Sequence, residues 1–421
     1  MKYATILRAA LLALFASHSH LCGAQRVGEP LPAWKEGELD IHHINTGRGN
    51  ATFLIFPDGT TLLVDAGALD STEPRTKGPR NMPAVPSLDR QPGEWIARYI
   101  MNVTTAGVNQ SVDYALITHF HDDHMGTPSA ASKKSTGGEY LLAGITEVAE
   151  FVPVKKVIDR GWPDYSYPRV TKDTMMLNYR KFLEWQVKEK GLRVEASVPG
   201  RNDQIVLLKK PDKYRHLFEV RNISVNGEIW TGVGSVTRKH FPELKDLRPD
   251  QYPSENMCSI ATRISYGKFD YFTGGDTPGV LQPGVPAWHD VETPVAKAVG
   301  PVEVHILDHH GNRDSQNDFL LSALRPRVLV VPVWSSDHPG HDVLDRIYSQ
   351  RIYQGERDVF ATGMLESNKQ VIGEMLGRLK SDRGHIVVRV DNGGDTYRVY
   401  VLDDNDERRH IKSVHGPYAA R

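Results

Sequence analysis

Short alternating runs of apolar and polar residues fill most of the chain and predict many β-strands. Such runs lie at residues 39–55 and recur several times between residues 193 and 273, separated by glycine-containing turns that are typical of hairpins. Helical spacing of apolar residues appears at residues 94–103 and 174–191. Many hairpins together with several helices indicate the α+β class, and they disfavour an all-β or a doubly wound parallel fold.

The densest group of metal-ligand residues follows one such run, in the sequence YALITHFHDDHMG from Tyr114 to Gly126. Residues i and i+2 of an extended backbone point the same way, so His119 and His121 are predicted to face one cation. The chain must then bend, which directs Asp123 and His124 toward a second position. Imidazole and carboxylate suit zinc, with manganese or iron as alternatives. A polar surface turn is the competing interpretation, but four ligand-type residues at this spacing favour a metal site.

Two more strand patterns end in residues of the same kind. Residues 254–279, SENMCSIATRISYGKFDYFTGGDTPG, contain two alternating runs around a Tyr-Gly turn and place Asp276 after the second run. Residues 305–315, HILDHHGNRDS, deliver His309 and His310 to the end of another strand. The alternative for Asp276 is an aspartate that merely follows a glycine turn. These two strand ends are the candidates for the remaining metal ligands.

The HxHxDH pattern of residues 119–124, placed after a strand, resembles the signature of the metallo-β-lactamase fold superfamily. The resemblance runs from Leu39 to Val401, and the flanking motifs, including the His-His-Gly of residues 309–311, look most like the hydrolase domain of bacterial competence (DNA-uptake) proteins. It implies an α+β fold, the four-layer αββα metallo-β-lactamase sandwich, for a hydrolase domain at residues 35–404. Within such a fold, the hairpin at residues 384–404 is expected to close the second sheet.

The resemblance also implies roles for single residues. Asp276 resembles the carboxylate that bridges two metals, and Asp65 resembles a carboxylate that braces the metal loop by hydrogen bonds. We expect His309 to be the remaining ligand and His310 to face the substrate or leaving group, although the sequence leaves the choice between them open. His338, in a His-Pro pair, is expected to hydrogen-bond an oxyanion or donate a proton, with a purely local role at the start of a helix as the alternative.

Together these residues predict a hydrolase that holds two Zn²⁺ ions and uses a metal-bound hydroxide to attack a phosphorus or carbonyl carbon. In this scheme the first two histidines of the HxHxDH run hold one ion, and its aspartate and last histidine hold the other. The residues predicted to be catalytic are Asp123, His310 and His338, and those predicted to bind metal are His119, His121, Asp123, His124, Asp276 and His309.

One ligand is missing from this set. Many members of the family place a third histidine on the first metal, between the HxHxDH run and the bridging aspartate. Only His216 and His240 lie in that interval, and neither sits in a matching motif. The first site is therefore expected to be weak, to be completed by water or by the second histidine of the pair at residues 309–310, or to be absent from an enzyme with one tightly held metal.

Charge gives little guidance to the substrate or to partners. The 421 residues include 51 Lys and Arg and 52 Asp and Glu, a net charge of −1, so no general attraction to nucleic acid or membrane lipid is expected. The resemblance favours a phosphodiester-type substrate, either a small molecule or a nucleic acid. An acyl substrate such as a lactone or β-lactam is the alternative, and a non-catalytic secreted binding protein is another. No protein partner is predicted.

The two ends of the chain carry separate signals. Residues 1–24 have a basic start and a short apolar segment, which predicts a cleaved signal peptide and a secreted or periplasmic protein. Cys22 offers a lipoprotein as the less favoured alternative, and no apolar run is long enough for a membrane span. After cleavage Cys258 would be the one remaining cysteine, so no intrachain disulfide is expected. The charged residues 405–421 are expected to form a loosely ordered tail.

Overall fold

The computed structural model describes residues 26–70, 72–104, 108 and 110–421, and for residue 75 it describes the backbone alone. The predicted signal peptide lies outside the described residues. The described strands, in chain order, are β1 Leu39–His43, β2 Thr52–Ile55, β3 Thr61–Val64, β4 Tyr114–Leu116, β5 Lys156–Asp159, β6 Arg193–Ala196, β7 Phe218–Val225, β8 Glu228–Trp230, β9 Thr237–Lys239, β10 Ala261–Tyr266, β11 Phe269–Thr273, β12 Val304–Ile306, β13 Val328–Val331, β14 Asp358–Ala361, β15 Leu379–Ser381, β16 His385–Val390, β17 Thr396–Leu402 and β18 Ile411–Ala419.

These strands form two mixed sheets of nine strands each. The first has the order β18-β17-β16-β1-β2-β3-β4-β5-β6, and the second has the order β15-β14-β13-β12-β11-β10-β7-β8-β9. Strands β3 to β6 are parallel in the first sheet, and strands β11 to β15 are parallel in the second. The segments after β4, β11 and β12 therefore leave the sheets at the carboxyl ends of parallel strands, where open sheets commonly build their sites.

Helices lie between many of these strands in the chain. They are α1 Pro74–Lys77, α2 Pro92–Val103, α3 Asp122–Met125, α4 Ile145–Phe151, α5 Thr174–Lys190, α6 Pro211–Tyr214, α7 Glu292–Val299, α8 Asp318–Leu324, α9 His341–Tyr348 and α10 Glu366–Ile372. Helix α5 confirms its prediction: Asp173 accepts from Met176 N at 2.8 Å at its start, and Gly191 ends it in the left-handed conformation. Among the described residues, no helix combines the length and apolar composition that a membrane span requires.

Each sheet is apolar on both faces, and this explains the layered packing. Leu62 and Val64 of β3 pack against the other sheet, while Leu63 between them packs outward against helices. Val328 and Val330 of β13 face the same inner layer from the second sheet. Helices α2, α4 and α5 cover the first sheet, and helices α7 to α10 cover the second. The predicted α+β class and four-layer αββα sandwich are confirmed.

The last two elements differ from the sequence expectation. The β16–β17 hairpin does not close the second sheet; it lies beside β1 in the first, where Arg389 of β16 pairs with Asp40 of β1. The expectation of a loosely ordered tail is also wrong, because Ile411–Ala419 forms β18 along β17. Strand β18 lies at the sheet edge and its side chains are mostly part exposed, so its composition resembles that of a loop.

Glu147, in α4, is a buried carboxyl whose ionisation opposes folding. Its side chain is 4% exposed, and burial raises its pKa from an ordinary 4.5 to about 7. Because the folded state favours the protonated form, the contribution of Glu147 to the free energy of unfolding is fully present below pH 4.5 and is lost as the pH rises to about 7. We expect Glu147→Gln to remove this loss, which amounts to about 3 kcal/mol at most. Denaturant unfolding at a series of pH values measures it.

The control for this experiment is Glu184→Gln, which changes an exposed glutamate of α5. This variant should keep the pH dependence of the wild-type protein. If Glu147→Gln and the wild type lose stability in parallel as the pH rises, the carboxyl of Glu147 does not ionise against the fold.

Candidate metal centre

Three segments that are far apart in the sequence meet beyond the ends of three strands. Residues 119–124 follow β4, Asp276 follows β11, and residues 309–310 follow β12. The first segment passes close to the loop after β3, where a Cβ on Gly67 would lie 2.0 Å from the carbonyl oxygen of Asp123. Only glycine permits this approach, which seats the HxHxDH segment at the edge of the sandwich.

The first cluster, called the His310 group below, consists of Asp123, His124, Asp276 and His310, all buried. His124 Nε2 lies 3.2 Å from His310 Nε2 and 3.0 Å from Asp276 Oδ1. Asp123 Oδ2 lies 2.9 Å from His310 Nε2. The ligand atoms all lie within 4.8 Å of one another, so they are close enough to bind one ion.

The second cluster, called the His119 group below, consists of His119, His121 and Asp276. His119 Nε2 lies 3.1 Å from His121 Nδ1 and 3.7 Å from Asp276 Oδ2. The i, i+2 histidines therefore face one point, as the strand geometry predicts. Asp276 belongs to both groups, with Oδ1 near His124 and Oδ2 near His119. The two groups bring together every predicted ligand except His309.

Hydrogen bonds behind the rings determine which nitrogen each histidine presents. Asp65 Oδ2 accepts from His124 Nδ1 at 2.7 Å and from Thr118 Oγ1 at 2.9 Å, so His124 presents Nε2 to the group. The carbonyl oxygen of Pro332 accepts from His310 Nδ1 at 3.0 Å, so His310 also presents Nε2. Asp65 thus braces the metal loop by hydrogen bonds, as predicted.

The donor set of the His310 group fits a metal ion. Since both Nδ1 atoms contact acceptors outside the group, the Nε2 atoms of His124 and His310 face each other at 3.2 Å. Carboxylate oxygens of Asp123 and Asp276 lie beside them. Lone pairs this close repel one another unless a cation or a proton lies between them. Two imidazoles and two carboxylates are ligands that suit zinc, manganese or iron.

The charges of the site depend on one another. Burial lowers the pKa of His119 well below its usual range. Burial also opposes a charge on His124, but Asp276 and the other nearby carboxylates outweigh it and raise the pKa of His124 well above its usual range. Burial likewise opposes the charge of Asp276, yet the histidines, led by His124, hold its pKa well below its usual range. The site is built around ionised carboxylates that nearby positive charge stabilises.

His309 and His310 exchange the places expected of them. Both have left-handed backbone conformations, with φ of 47° and 55°, which separates their side chains. His310 enters the His310 group, whereas His309 faces outward: its Nδ1 is 2.6 Å from Asp314 Oδ1. His309 Nε2 lies 3.2 Å from Asn256 Nδ2 and 3.9 Å from Asp276 Oδ2. This geometry corrects the expectation that His309 is the ligand and His310 faces the substrate.

His338 lies behind His310. Its side chain is buried, and its ring stacks on that of His310 with centroids 4.8 Å apart and an interplanar angle of 16°. The edge of Trp334 closes the other side, with ring centroids 4.9 Å apart. The geometry therefore gives His338 a contact with His310, instead of the direct access to an oxyanion that the sequence suggested.

His216, His240 and His305 lie outside both groups. His216 is exposed, and His240 Nε2 lies 3.0 Å from the carbonyl oxygen of Asp290. Neither belongs to a metal group among the described residues. His305 is buried in β12 with Nε2 3.0 Å from Gln316 Oε1, as a core histidine would be. The His119 group therefore has two histidines.

An open cleft of about 360 Å³ leads to both groups. Arg80 and Asn81, from the polar loop after β3, line one side, and Asn256, His309 and Trp334 line another. Arg80 is largely exposed and its Nη2 donates to Asp337 Oδ2 at 2.8 Å. The loop after β3 therefore lies at the mouth of the site.

Three residues that contact the site were missed from the sequence. Asp314 lies in the motif that carries His309, so an acid five positions after a histidine was an available signal. Glu255 accepts a hydrogen bond from Phe120 N across 135 positions, and Arg160 pairs with Glu255 across 95. No local pattern marks either of these, because the contacts arise only when the two sheets pack together.

Comparison with known proteins adds similarities of modest extent. No protein-family model matches the chain. A stretch of 105 residues, 24% of the chain, is 30% identical to Meiosis protein 5 of Saccharomyces cerevisiae, and the chain spans 46% of that protein's length.

Among solved structures, the chain is similar to a mutant of CmlA β-hydroxylase, with a TM-score of 0.38 and 15% identity over 86% of this chain and 55% of that one. It is also similar to Zn²⁺-bound PqqB from Methylobacterium extorquens, with a TM-score of 0.32 and 12% identity over 69% and 88%. Human tRNase Z, short form, gives a TM-score of 0.29 and 10% identity over 69% and 91%. Function must therefore be inferred from the site itself.

Proposed function

We propose that the protein is a metal-dependent hydrolase that acts on a phosphodiester-type substrate. The observation that carries the proposal is the convergence of six buried or half-buried ligand side chains from three distant segments, with Asp276 common to both groups. In this proposal one ion binds to Asp123, His124, Asp276 and His310, and another binds to His119, His121 and Asp276. Bound there, the ions would supply Lewis acidity and make a water molecule ionise near neutral pH.

The side chains around the groups have separate roles in this proposal. Asp65 and Pro332 hold the ring orientations of His124 and His310, so little rearrangement is needed when a metal binds. His309, oriented by its contact with Asp314, presents Nε2 to the cleft. We assign to this nitrogen the transfer of a proton to the leaving oxygen of the substrate.

The lining of the cleft supports an anionic substrate. The Arg80 guanidinium and the amide groups of Asn81 and Asn256 face the same opening as the metal groups. Guanidinium and amide N–H groups are donors that suit phosphoryl oxygens. An exported location, secreted or periplasmic, stays a prediction from residues 1–24.

Purified mature protein tests the proposed function directly. We expect two metal ions per chain by elemental analysis, and hydrolysis of bis-p-nitrophenyl phosphate that a chelator abolishes and added metal restores. Turnover of a lactone or β-lactam with no action on phosphodiesters would instead identify an acyl hydrolase. A protein that binds no metal would refute the proposal and favour a binding protein.

Replacing each of the paired histidines should separate their roles. His310→Ala is expected to lose one of the two metal ions, because it removes a ligand of the His310 group. His309→Ala is expected to retain both ions and to lose about 10²- to 10⁴-fold in kcat, the usual contribution of a general acid. Elemental analysis and phosphodiester kinetics on the two variants measure these outcomes.

His216→Ala is the control for these variants, because His216 is exposed and lies outside both groups. It should match the wild type in metal content and in rate. Loss of a metal ion from His309→Ala, with both ions kept by His310→Ala, would reverse the assignment.

A further inference from the structure

Glu255 connects the second half of the chain to the backbone of the HxHxDH segment. Its Oε1 accepts from the backbone N–H of Phe120 at 2.7 Å, and Phe120 is the residue between His119 and His121. A second connection lies two residues earlier, where Ile260 N donates to the carbonyl oxygen of Thr118 at 2.9 Å. The peptides on both sides of His119 are therefore held by residues 255–260.

Arg160, the residue directly after β5, fixes Glu255 in this position. Its Nε donates to Glu255 Oε1 at 2.6 Å, and its Nη2 donates to Oε2. The guanidinium is buried and lies over the Phe120 ring, 4.5 Å from the centroid. Asn226 completes the arrangement, since its Oδ1 accepts from Arg160 Nη1 at 3.1 Å and its Nδ2 donates to the carbonyl oxygen of Arg160 at 2.9 Å. Glu255 is thus held in one rotamer with its oxygen aimed at Phe120 N.

The constraint matters because the His119 group is the less complete of the two. It has two histidines and a shared carboxylate, and these histidines face one point only while the peptide between them keeps its extended conformation. Helix α3, which begins after His121, has four residues and is too short to hold the segment by itself. Rotation of the Phe120 peptide would turn one imidazole away from the other.

We infer that Glu255 is a positioning residue for the metal bound by the His119 group, acting through the Phe120 N–H, with Arg160 as its support. The inference rests on the proposed function, since it concerns one of the two proposed ions. If Glu255 served only the stability of the fold, its charge would matter most, because Glu255 neutralises the buried Arg160. If Glu255 positions the metal loop, the reach of its acceptor oxygen matters most.

Two substitutions separate these roles. Glu255→Asp keeps the charge beside Arg160 but withdraws the acceptor from Phe120 N. Glu255→Gln keeps the acceptor at the same reach but leaves Arg160 without its ion-pair partner. We expect the aspartate variant to be the more stable of the two in thermal unfolding. We expect the glutamine variant to bind metal more tightly than the aspartate variant, so the order of metal affinity is opposite to the order of stability.

Titration of metal-free protein with Co²⁺, followed by equilibrium dialysis and visible absorption, measures binding to each site without an activity assay. The wild type should bind two ions. Glu255→Asp should bind one of them about 10- to 100-fold more weakly and the other unchanged, and Glu255→Gln should bind both within about threefold of the wild type.

Asp40→Ala is the matched control. It breaks another buried acid–arginine pair, which is remote from the HxHxDH segment in the sequence and lies between β1 and β16. It should lower thermal stability and leave both Co²⁺ affinities unchanged. This result would show that a loss of stability alone does not weaken metal binding.

Three outcomes distinguish the possibilities. If the wild type binds two ions and Glu255→Asp binds both with wild-type affinity, Glu255 is not a positioning residue and the proposed function stands. If Glu255→Gln loses the ion of the His119 group and Glu255→Asp keeps it, metal binding depends on the charge of Glu255, and the positioning role is overturned. If the wild type binds no ion, the proposed function fails, and the inference about Glu255 fails with it.

Discussion

Asp276→Asn is expected to lose both metal ions and to reduce phosphodiester hydrolysis by at least about 10⁴-fold. Asp276 is the one side chain shared by the two groups. Its Oδ1 lies 3.0 Å from His124 Nε2 and 3.6 Å from His310 Nε2, and its Oδ2 lies 3.7 Å from His119 Nε2. An amide is neutral and has a single oxygen, so it cannot offset two cations or serve both groups at once.

The variant is measured by elemental analysis and by initial rates at saturating added metal. Asp270→Asn is its control, because Asp270 lies on the same strand, β11, and pairs with Arg263 instead of with the metal groups. Asp270→Asn should keep both metal ions. Two bound ions and near wild-type rates in Asp276→Asn would rule out Asp276 as the shared ligand.

Asp40→Ala is expected to lower the free energy of unfolding by about 3–5 kcal/mol, the usual cost of removing one partner of a buried ion pair. Asp40 on β1 accepts from Arg389 Nε at 2.7 Å and from Arg389 Nη2 at 2.6 Å, and both side chains are buried. Burial by itself would raise the pKa of Asp40, but Arg389 outweighs it and lowers the pKa from 3.8 to about 2. Without Asp40, the buried guanidinium loses both short hydrogen bonds and keeps the longer contact of its Nε with Glu38 Oε2 at 3.6 Å.

Denaturant unfolding of wild type and variant measures the difference. Since the pKa is lowered in the folded state, the contribution of Asp40 is present above pH 3.8 and is lost as the pH falls toward 2. The two unfolding curves should therefore converge only in strong acid.

Asp395→Ala is the control for this prediction, because it removes an exposed pair with Lys268 and should change stability by less than about 1 kcal/mol. If Asp40→Ala also changes stability by less than about 1 kcal/mol, the Asp40–Arg389 ion pair does not stabilise the contact between β1 and β16.

Both predictions concern contacts between strands that lie far apart in the chain. Asp40 and Arg389 join the first strand to a hairpin near the end of the chain. Asp276 joins segments of the first and second sheets in the same way. The site is therefore expected to form only when both sheets are assembled, and metal binding should raise the midpoint of thermal unfolding of the whole domain.

The sequence by itself determined the local part of this protein. The alternation of apolar residues predicted the strands and the α+β class, and the helical spacing of apolar residues predicted α5, because both depend on backbone geometry over a few residues. The same local geometry placed His119 beside His121 and directed Asp123 and His124 toward a second position.

Only the tertiary structure decided which of His309 and His310 enters a metal group. Strand alternation stops at the end of β12, and both histidines then adopt left-handed conformations for which the strand rule predicts no side-chain direction. The sheet that receives the β16–β17 hairpin and β18, and the contact of Glu255 with Phe120, were decided in the same way. These features depend on contacts between distant segments, which local sequence does not encode.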